Sequence, residues 1–429
     1  MKKRIFSILG VLLRQIPISV MSWVLCRKIQ CFEKKTSSVK IFVLDRDRFR
    51  EDIVALNQYT DIEYYDFTIG IQDNIAALFA YQYDYVKGAE NTEYHIAHAQ
   101  YLRKLIPVLC QKMSVTGFIS CGMYYSRHQD WEQSCKDTHI PFLCLHREGV
   151  GITGEPLDRL FGESMEGRRR FNGQHIMVGT DAFRNMLIKR GYAKPDDVSM
   201  TGVPRFDISA AATKSKPEKP QVLLFSFFLA SGQVELVSKE GVFPEKKGFY
   251  KLFLDVHEQF ARLAKENPDV AFVIKPKWYV SQWKTLIDMS VEKGCELTGS
   301  DAWPSNLTVV DDVPAQTLIS ASGLVIAFNS TTIFEAIQYD KHVLMPLYEE
   351  ASSTHSDYLY LPDTKDSIHL ARSSNEFITI VEQYISGKLD KKVADESLIN
   401  EAVGYIDGSV SGRIQAIIIE QIDQITRGE

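Results

Sequence analysis

The feature that most constrains the fold is a regular alternation of short apolar segments with longer amphipathic ones. Short segments such as 39–45 (VKIFVLD) and 117–122 (GFISCG) predict buried strands, and the segment 92–113 predicts a long amphipathic helix. Strands that alternate with helices form parallel sheets covered by helices on both faces. The alternation stops at 210–220, which is polar and contains prolines, and then begins again. The sequence therefore predicts two consecutive doubly wound α/β domains.

The domain boundaries follow from this interruption and from the length. A chain of 429 residues exceeds what one hydrophobic core usually accommodates. We expect a basic and apolar N-terminal segment at 1–35, an N-terminal Rossmann-like domain at 36–212, a linker at 213–220, a C-terminal Rossmann-like domain at 221–385, and terminal helices at 386–429.

Composition and charge exclude several classes of protein. Hydrophobic residues make up 45% and charged residues 24% of the chain, as in a folded globular protein. The net charge of −6 gives no overall basic field, so we expect no nucleic-acid partner. The seven cysteines show no CxxC spacing, which indicates a reducing compartment and no zinc site. We therefore expect a cytoplasmic location for the body of the protein.

The N-terminal segment is open to two interpretations. It begins with basic residues and continues with an apolar stretch at 5–26, but Arg14 and Pro17 interrupt it, so both a signal peptide and a spanning helix fit poorly. Basic residues on both sides of the stretch suit a helix lying on the inner membrane surface. The alternative is an N-terminal helix packed on its own domain, and the pattern alone does not separate the two.

Polar loops that follow strands are the candidate sites, because ligands in doubly wound sheets bind outside the carboxyl ends of the strands. His146, Arg147 and Glu148 leave the strand PFLCL and supply an acid/base, an anion clamp and a carboxylate in one turn. Gly149 and Gly151 then allow close approach of the backbone to a ligand. The alternative is a turn with ordinary surface charges.

Two further loops carry basic residues. Arg205, in TGVPRFD, would pair either with Asp207 in a structural salt bridge or with a phosphate. Lys275 and Lys277 flank a proline after the strand AFVI, where they would meet a diphosphate or monophosphate. The alternative for the lysines is a basic surface loop.

The segment 328–336 (FNSTTIFEA) follows the buried strand GLVIA and begins a helix. Asn329 and Ser330 lead into the helix, and the hydroxyls of Ser330, Thr331 and Thr332 add donors to its unpaired N–H groups. An anionic group fits there without a metal. Glu335 lies one turn further and would accept hydrogen bonds from sugar hydroxyls. A capping box explains the same residues, and the two interpretations are compatible.

The segment 311–346 resembles the C-terminal donor-binding segment of GT-B-fold enzymes of bacterial surface-polysaccharide synthesis. These enzymes include capsule-type transferases, glycerophosphotransferases of teichoic acid synthesis and sugar-nucleotide 2-epimerases. The sequence departs from the family pattern at Asp340 and His342, where Gly and Pro are common. The matching residues are Ser330, Thr331, Thr332, Glu335, Ala336, Lys341 and Val343.

The N-terminal half carries weaker signs of the same resemblance. Residues 198–207 (VSMTGVPRFD) resemble the junction of this superfamily, and 146–151 (HREGVG) is similar to its His-containing loop, including the His-x-Glu of the epimerases. Val150 stands where the epimerase pattern has Gly, which favours a transferase. The segment IKPKW is similar to the phosphate loop of the glycerophosphotransferases but lacks its histidine.

The resemblance implies a GT-B architecture, with two Rossmann-like domains facing across a cleft and terminal helices that pack back on the N-terminal domain. It implies a metal-independent glycosyltransferase without a cofactor. The donor would be a UDP- or CMP-linked sugar, including a Kdo-type acidic sugar, and the acceptor a cell-surface polysaccharide or lipopolysaccharide, as a glycan or lipid-linked glycan. The alternatives are a UDP-sugar 2-epimerase, a CDP-glycerol-type glycerophosphotransferase and a non-catalytic interaction protein.

The resemblance also suggests roles for the candidate residues. The helix start at 330–332, with Lys275 and Lys277, would neutralise the departing phosphate, and Glu335 would hold the ribose or the sugar. His146 or Glu148 would act as the base of an inverting reaction. The triplet at 45–47 (DRD) has the form of a metal loop, but it follows the first strand, away from the donor half.

Overall fold

A computed structural model describes residues 15–79, 93–123, 125–162, 170–211, 220–241, 244–277, 281–299, 302–359 and 367–427. The first 14 residues of the N-terminal segment and the linker predicted at 213–220, apart from Pro220, lie outside this part of the chain. The chain folds into two compact units. The N-terminal unit is Met1–Gly149, Met165–Asp207 and Gly404–Glu429, and the C-terminal unit is Val150–Ser164 and Ile208–Val403.

This division differs from the predicted boundaries in two segments, because residues 150–164 and 386–403 both lie in the C-terminal unit. The two segments are joined there by a backbone hydrogen bond of 2.6 Å from Gly151 N–H to Ala402 O. A side-chain bond from Arg159 to the carbonyl of Asp357 also holds the first segment in this unit.

Each unit contains one sheet of short strands. Most of the strands are apolar as predicted, but β1 was not predicted, because its two residues lie in the N-terminal segment 1–35 and are not apolar as a pair. Those of the N-terminal unit are β1 (Gln30–Cys31), β2 (Lys40–Leu44), β3 (Glu63–Phe67), β4 (Gly117–Ser120), β5 (Phe142–His146), β6 (His175–Val178) and β7 (Val198–Met200). Those of the C-terminal unit are β8 (Gln221–Phe225), β9 (Ala271–Lys275), β10 (Leu307–Val309), β11 (Leu324–Ile326), β12 (His342–Pro346) and β13 (His369–Ala371).

The helices cover the faces of the sheets. They are α1 (Ile18–Lys28), α2 (Arg50–Tyr59), α3 (Ile69–Ala76), α4 (Glu93–Met113), α5 (Gln129–Asp137), α6 (Gly154–Leu157), α7 (Asp181–Lys189), α8 (Arg205–Ala211), α9 (Val234–Glu240), α10 (Tyr250–Glu266), α11 (Ser281–Glu296), α12 (Ala315–Ala321), α13 (Thr332–Gln338), α14 (Ser374–Ile385), α15 (Glu396–Val403) and α16 (Val410–Arg427). Among the described residues, none of these helices combines the length and apolar character needed to cross a membrane.

The sheet of the N-terminal unit has seven strands in the order β1-β3-β2-β4-β5-β6-β7, and only β1 runs antiparallel to its neighbour. Successive residues of β2 point to opposite faces. Phe42 and Leu44 pack into a cluster with residues of α1 and α4, whereas Ile41 and Val43 pack into a second cluster with residues of α2 and α16. Burial on both faces explains why β2 is almost continuously hydrophobic.

The terminal helix α16 belongs to the N-terminal unit, and its start is fixed by Asp207. The carboxylate of Asp207 accepts hydrogen bonds from the N–H groups of Val410 (3.1 Å) and Ser411 (2.7 Å), two of the donors that a helix start leaves unpaired. Before it, Gly404 has a φ of 74°, and a Cβ at this position would overlap the carbonyl oxygen of Gly179. Only glycine therefore fits where the chain enters α16.

The sheet of the C-terminal unit has six parallel strands in the order β10-β9-β8-β11-β12-β13. Its core includes one face of α10, where apolar residues recur every three or four positions and are fully buried, as at Phe253, Val256 and Phe260. In each unit the first long strand, β2 or β8, lies inside the sheet. The strands that come next in sequence are added on one side of it, and the later strands on the other side, so the strand order reverses there.

The point of reversal predicts where a ligand binds in a sheet of this type. In the N-terminal unit it lies between β2 and β4, and in the C-terminal unit between β8 and β11. The residues that follow these strands begin with Asp45, Cys121, Ser226 and Ala327. Each of these two sheet edges is described separately below.

Candidate functional site

In the C-terminal unit the segment FNSTT lies at the carboxyl end of β11 and folds into a tight turn. Asn329 is 2% exposed, has a φ of 48°, and donates from Nδ2 to the carbonyl of Tyr358 at 3.1 Å. The hydroxyl of Ser330 lies 2.9 Å from that of Thr332 and accepts a hydrogen bond from the N–H of Thr332 at 3.3 Å. Thr331 is the N-cap residue of α13, but its side chain does not cap the helix. The predicted residues therefore do meet at this edge.

Glu335 lies one turn into α13 and is only 3% exposed. Its Oε2 accepts a hydrogen bond of 2.8 Å from Nε2 of Gln316, which is itself buried on the neighbouring helix α12. A neutral amide orients a carboxylate without neutralising its charge. Gln316 did not stand out in the sequence, because nothing in the PAQTL segment indicates which helix it faces.

Lys275 is the last residue of β9, which neighbours β8, and Lys277 follows it. Lys275 Nζ donates to the carbonyl of Asp311 at 2.5 Å, and Lys277 Nζ lies 5.0 Å from the centroid of the Phe228 ring. A carbonyl and an aromatic face both stabilise an ammonium group.

Beneath this edge, Ser226 follows β8 and connects two buried side chains. His257 is fully buried. Its Nδ1 lies 2.7 Å from the carbonyl of Phe253 and must donate, so Nε2 accepts from the hydroxyl of Ser226 at 3.0 Å. Trp283 Nε1 donates to the same hydroxyl at 2.9 Å. Burial lowers the pKa of His257 to about 4, so this neutral network fixes the strand end.

In the N-terminal unit, His146 is the last residue of β5 and is 2% exposed. Its ring centroid lies 4.6 Å from that of Phe183. Burial lowers the pKa of His146 to about 4, the opposing effect of the Glu148 carboxylate being smaller. An imidazole this buried is a weak base, and its position suits a packing role better than proton transfer.

Glu148 is the better-placed base of the two. Its side chain is 32% exposed, its Oε1 lies 3.3 Å from the hydroxyl of Tyr125, and Arg147 Nε lies 3.5 Å from the same oxygen. Gly149 and Gly151 have φ values of 80° and 84°, so the turn uses the conformational freedom that the sequence predicted for them.

The sequence missed a network of side chains that reaches this carboxylate through Tyr125. Asp45 is fully buried with a φ of 58°; its Oδ2 lies 3.0 Å from His128 Nε2, and its Oδ1 accepts a hydrogen bond from Gln72 Nε2 at 3.1 Å. Arg48 lies 4.5 Å from the centroid of the Tyr125 ring. We call Asp45, Arg48, Gln72, Tyr125 and His128 the N-edge cluster.

The protonation of this cluster follows from its charges. Burial by itself would raise the pKa of Asp45, but His128, Arg127 and Arg48 outweigh it and lower the pKa below its ordinary value. Burial raises the pKa of Tyr125 to about 12. At neutral pH the cluster therefore contains an ionised carboxylate and a protonated phenol that donates to Glu148.

Arg205 pairs with Asp52, and the predicted pair with Asp207 is wrong. Its Nη1 lies 3.2 Å from both carboxylate oxygens of Asp52, and both side chains are largely buried. Asp207 instead accepts the N–H groups at the start of α16. A role of Arg205 in ligand binding stays a prediction.

The metal-like triplet at 45–47 is not assembled as a metal site. Asp45 faces His128, while the side chain of Asp47 is 72% exposed and pairs with Arg46 at 3.3 Å. Among the described residues there is no group of three or more side chains of the kind that could hold a metal ion.

Two parallel Rossmann-like sheets in one chain, each with its polar residues at the carboxyl edge of the sheet, define a GT-B-like α/β protein, and the predicted fold class is confirmed. A solved UDP-N-acetylglucosamine 2-epimerase matches 90% of this chain and 96% of its own, with 13% identity and a TM-score of 0.50.

Other solved structures match over similar lengths. The UDP-GlcNAc 2-epimerase of Neisseria meningitidis bound to UDP-GlcNAc is 14% identical over 89% of this chain and 99% of its own, with a TM-score of 0.49. A glycosyltransferase of Rickettsia africae is 11% identical over 92% of this chain and 100% of its own, with a TM-score of 0.46. No protein-family model matches the sequence, and a comparison with curated proteins finds no significant match. At these identities the similarity shows the fold alone.

Proposed function

We propose that the protein is a nucleotide-sugar enzyme that binds the nucleoside diphosphate at the carboxyl edge of the C-terminal sheet. The observation that carries this proposal is that Ser330–Thr332 and Glu335 follow β11 at the point where the strand order reverses, while Lys275 ends β9 in the same sheet. Hydroxyls, N–H groups and lysines suit phosphate oxygens, and a buried carboxylate suits ribose hydroxyls. Lys277 and Asn329 complete this edge.

We further propose glycosyl transfer as the reaction. In transfer, the C-terminal edge stabilises the departing nucleoside diphosphate, since its donors meet the negative charge that develops there. The Glu148 carboxylate takes the proton of the attacking acceptor hydroxyl. The Tyr125 hydroxyl and Arg147 orient this carboxylate. The acceptor is a cell-surface glycan or lipid-linked glycan, and no metal or cofactor takes part.

A second candidate, 2-epimerisation of a UDP-sugar, is supported by the solved UDP-N-acetylglucosamine 2-epimerase that shares the fold. Inversion at C2 breaks a C–H bond and exchanges its hydrogen with solvent, whereas transfer leaves that bond intact. In deuterated buffer, UDP-GlcNAc gains deuterium at C2 only if the protein epimerises it. Release of UDP that requires an added glycan acceptor, without deuterium at C2, supports transfer.

The binding proposal is tested by thermal unfolding in the presence of UDP, CMP, GDP and CDP, because a ligand that binds only the folded state raises the melting temperature. We expect one nucleotide to stabilise the protein and Glu335→Gln to weaken that effect. Glu382→Gln, which changes an exposed carboxylate on α14, is the matched control. If no nucleotide shifts the transition, or if Glu335→Gln leaves affinity unchanged, the site is not where we place it.

A further inference from the structure

Helix α1 exposes apolar side chains on the face that points away from its own unit. Its inward residues Ser22 and Leu25 are buried, and Leu25 packs into the cluster that contains residues of α4. Val20, Trp23 and Val24 are 48%, 51% and 37% exposed and share one face, because they are three and four positions apart. A helix that packs only on its own domain carries polar residues on its outer face. The outer face of α1 is apolar instead.

Basic residues surround this apolar face. Arg27 and Lys28 end the helix, and the guanidinium of Arg27 lies 3.5 Å from the centroid of the Trp23 ring. From α4, Lys112 Nζ donates to the carbonyl of Ser19 at 2.7 Å, which places a further positive charge beside the start of α1.

The charge of this helix pair is opposite to that of the whole chain. The chain has a net charge of −6, yet α1 contains two basic residues and no acidic one, and α4 contains three basic residues and one acidic residue, Glu93. On α4, Arg103 is neutralised by Asp137 on α5 at 2.6 Å, whereas Lys104 and Lys112 are eight positions apart on one exposed face.

We propose that the outer face of α1 docks on the surface of an anionic lipid bilayer. Val20, Trp23 and Val24 enter the boundary between headgroups and acyl chains, and Arg27, Lys28 and Lys112 lie against lipid phosphates. An exposed indole beside cations has the chemistry of that boundary, where one end of the ring is apolar and the other is wet. Charge complementarity decides for an anionic lipid surface, since no acidic residue of α1 opposes it. This inference goes beyond the proposed function and holds for either reaction.

The test is co-sedimentation of the full-length protein with vesicles of phosphatidylcholine alone and of phosphatidylcholine with an equal amount of phosphatidylglycerol. We expect binding only to the anionic vesicles, and weaker binding as salt is raised. Each cation near such a surface contributes about fivefold to the partition coefficient, so the double variant Arg27→Gln, Lys28→Gln should bind about 25-fold more weakly. Trp23→Ala should bind about tenfold more weakly.

Matched controls change the same chemistry elsewhere in the N-terminal unit. Ile419→Ala removes an apolar side chain that is 37% exposed on α16, and Lys189→Gln, Lys194→Gln removes two exposed charges at and after α7. Both controls should bind within about twofold of the parent protein. The melting temperature of Trp23→Ala should be unchanged, which shows that the loss is not one of folding.

A second readout follows Trp23 itself. Bilayers containing brominated acyl chains should quench tryptophan fluorescence more in the parent protein than in Trp23→Ala, because Trp23 is 51% exposed whereas Trp131 and Trp283 are buried. Four results would overturn the proposal. The first three are equal binding to both kinds of vesicle, unchanged binding of Trp23→Ala, and a dimer that depends on Trp23 in the absence of lipid. Protection of Trp23 from a water-soluble quencher before any lipid is added would show that another part of the chain covers it, with the same consequence.

Discussion

The two sheets present different chemistry at the edges where their strand orders reverse. In the N-terminal unit the edge is a network of opposite charges, in which Asp45, Arg48 and Glu148 are connected through His128 and Tyr125. In the C-terminal unit the edge contains hydroxyls, amides and lysines, with Asp311 beside Lys275, and its buried carboxylate, Glu335, accepts a hydrogen bond from a neutral amide.

This difference separates two kinds of chemistry. A balanced network of acids and bases holds and transfers protons, and gains little from binding one more anion. An edge that offers hydroxyl, amide and ammonium donors suits the oxygens of an anion. Two sheets of similar topology thus present different side chains after equivalent strands.

The largest expected effect is at Asp45, and it tests whether the N-terminal edge depends on its buried charge. Asp45→Asn keeps the shape and tolerates the positive φ but leaves His128 and Arg48 without their carboxylate. We expect a loss of about 3 kcal/mol in the free energy of unfolding, measured by urea denaturation.

Asp47→Asn is the control, because this neighbouring carboxylate is largely exposed and should cost less than about 0.5 kcal/mol. Equal effects of the two variants would show that the N-edge cluster is an ordinary surface network.

The next prediction concerns stability at acidic pH and uses His146, a buried histidine of the same unit. The pKa of His146 is about 4 in the folded protein against an ordinary value of 6.5. Between these pH values the unfolded chain binds a proton at this residue and the folded chain does not. The contribution of His146 to the free energy of unfolding is therefore fully present above pH 6.5 and is lost as the pH falls towards 4. At pH 5 this group alone should cost about 2 kcal/mol relative to neutral pH.

His146→Asn should therefore make the free energy of unfolding less dependent on pH between about 7 and about 5 by that amount, whatever it costs at neutral pH. His139→Asn, at an exposed position with positive φ, is the control and should leave the pH dependence unchanged. An unaltered slope in His146→Asn would show that this imidazole is protonated in the folded state, and it would then again be a candidate base.

The sequence predicted each element of the two sheets better than it predicted which side chains meet. Alternating hydrophobicity specifies buried strands and helices locally, and the loops after β5 and β11 were identified because each contains several reactive groups in a row. The N-edge cluster has no such signal. Asp45, Gln72 and His128 are far apart in sequence, and only the strand order brings them together.

Salt bridges were the least predictable feature for the same reason. Arg205 and Asp207 are close in sequence, yet the former pairs with Asp52 on α2 and the latter with the start of α16. Proximity in sequence gives a local partner, but a buried charge is paired by whichever element packs against it, and that is decided by the tertiary fold.

The smallest change is expected in UDP affinity and concerns the C-terminal edge, where we expect Gln316 to orient Glu335. Gln316→Leu keeps the volume and removes the donor of the 2.8 Å hydrogen bond. We expect UDP affinity to fall about fivefold, or about 1 kcal/mol, as measured by calorimetric titration. Gln383→Leu, an exposed change on α14, should leave affinity unaltered.

A double-mutant cycle then separates orientation of the carboxylate from a general loss of packing. If Gln316 acts through Glu335, the variant carrying both Gln316→Leu and Glu335→Gln binds UDP no more weakly than Glu335→Gln alone, because the carboxylate to be oriented is already gone. Additive losses would mean that Gln316 supports the site independently of Glu335. In that case the buried carboxylate and the amide beside it contribute separately to nucleotide binding.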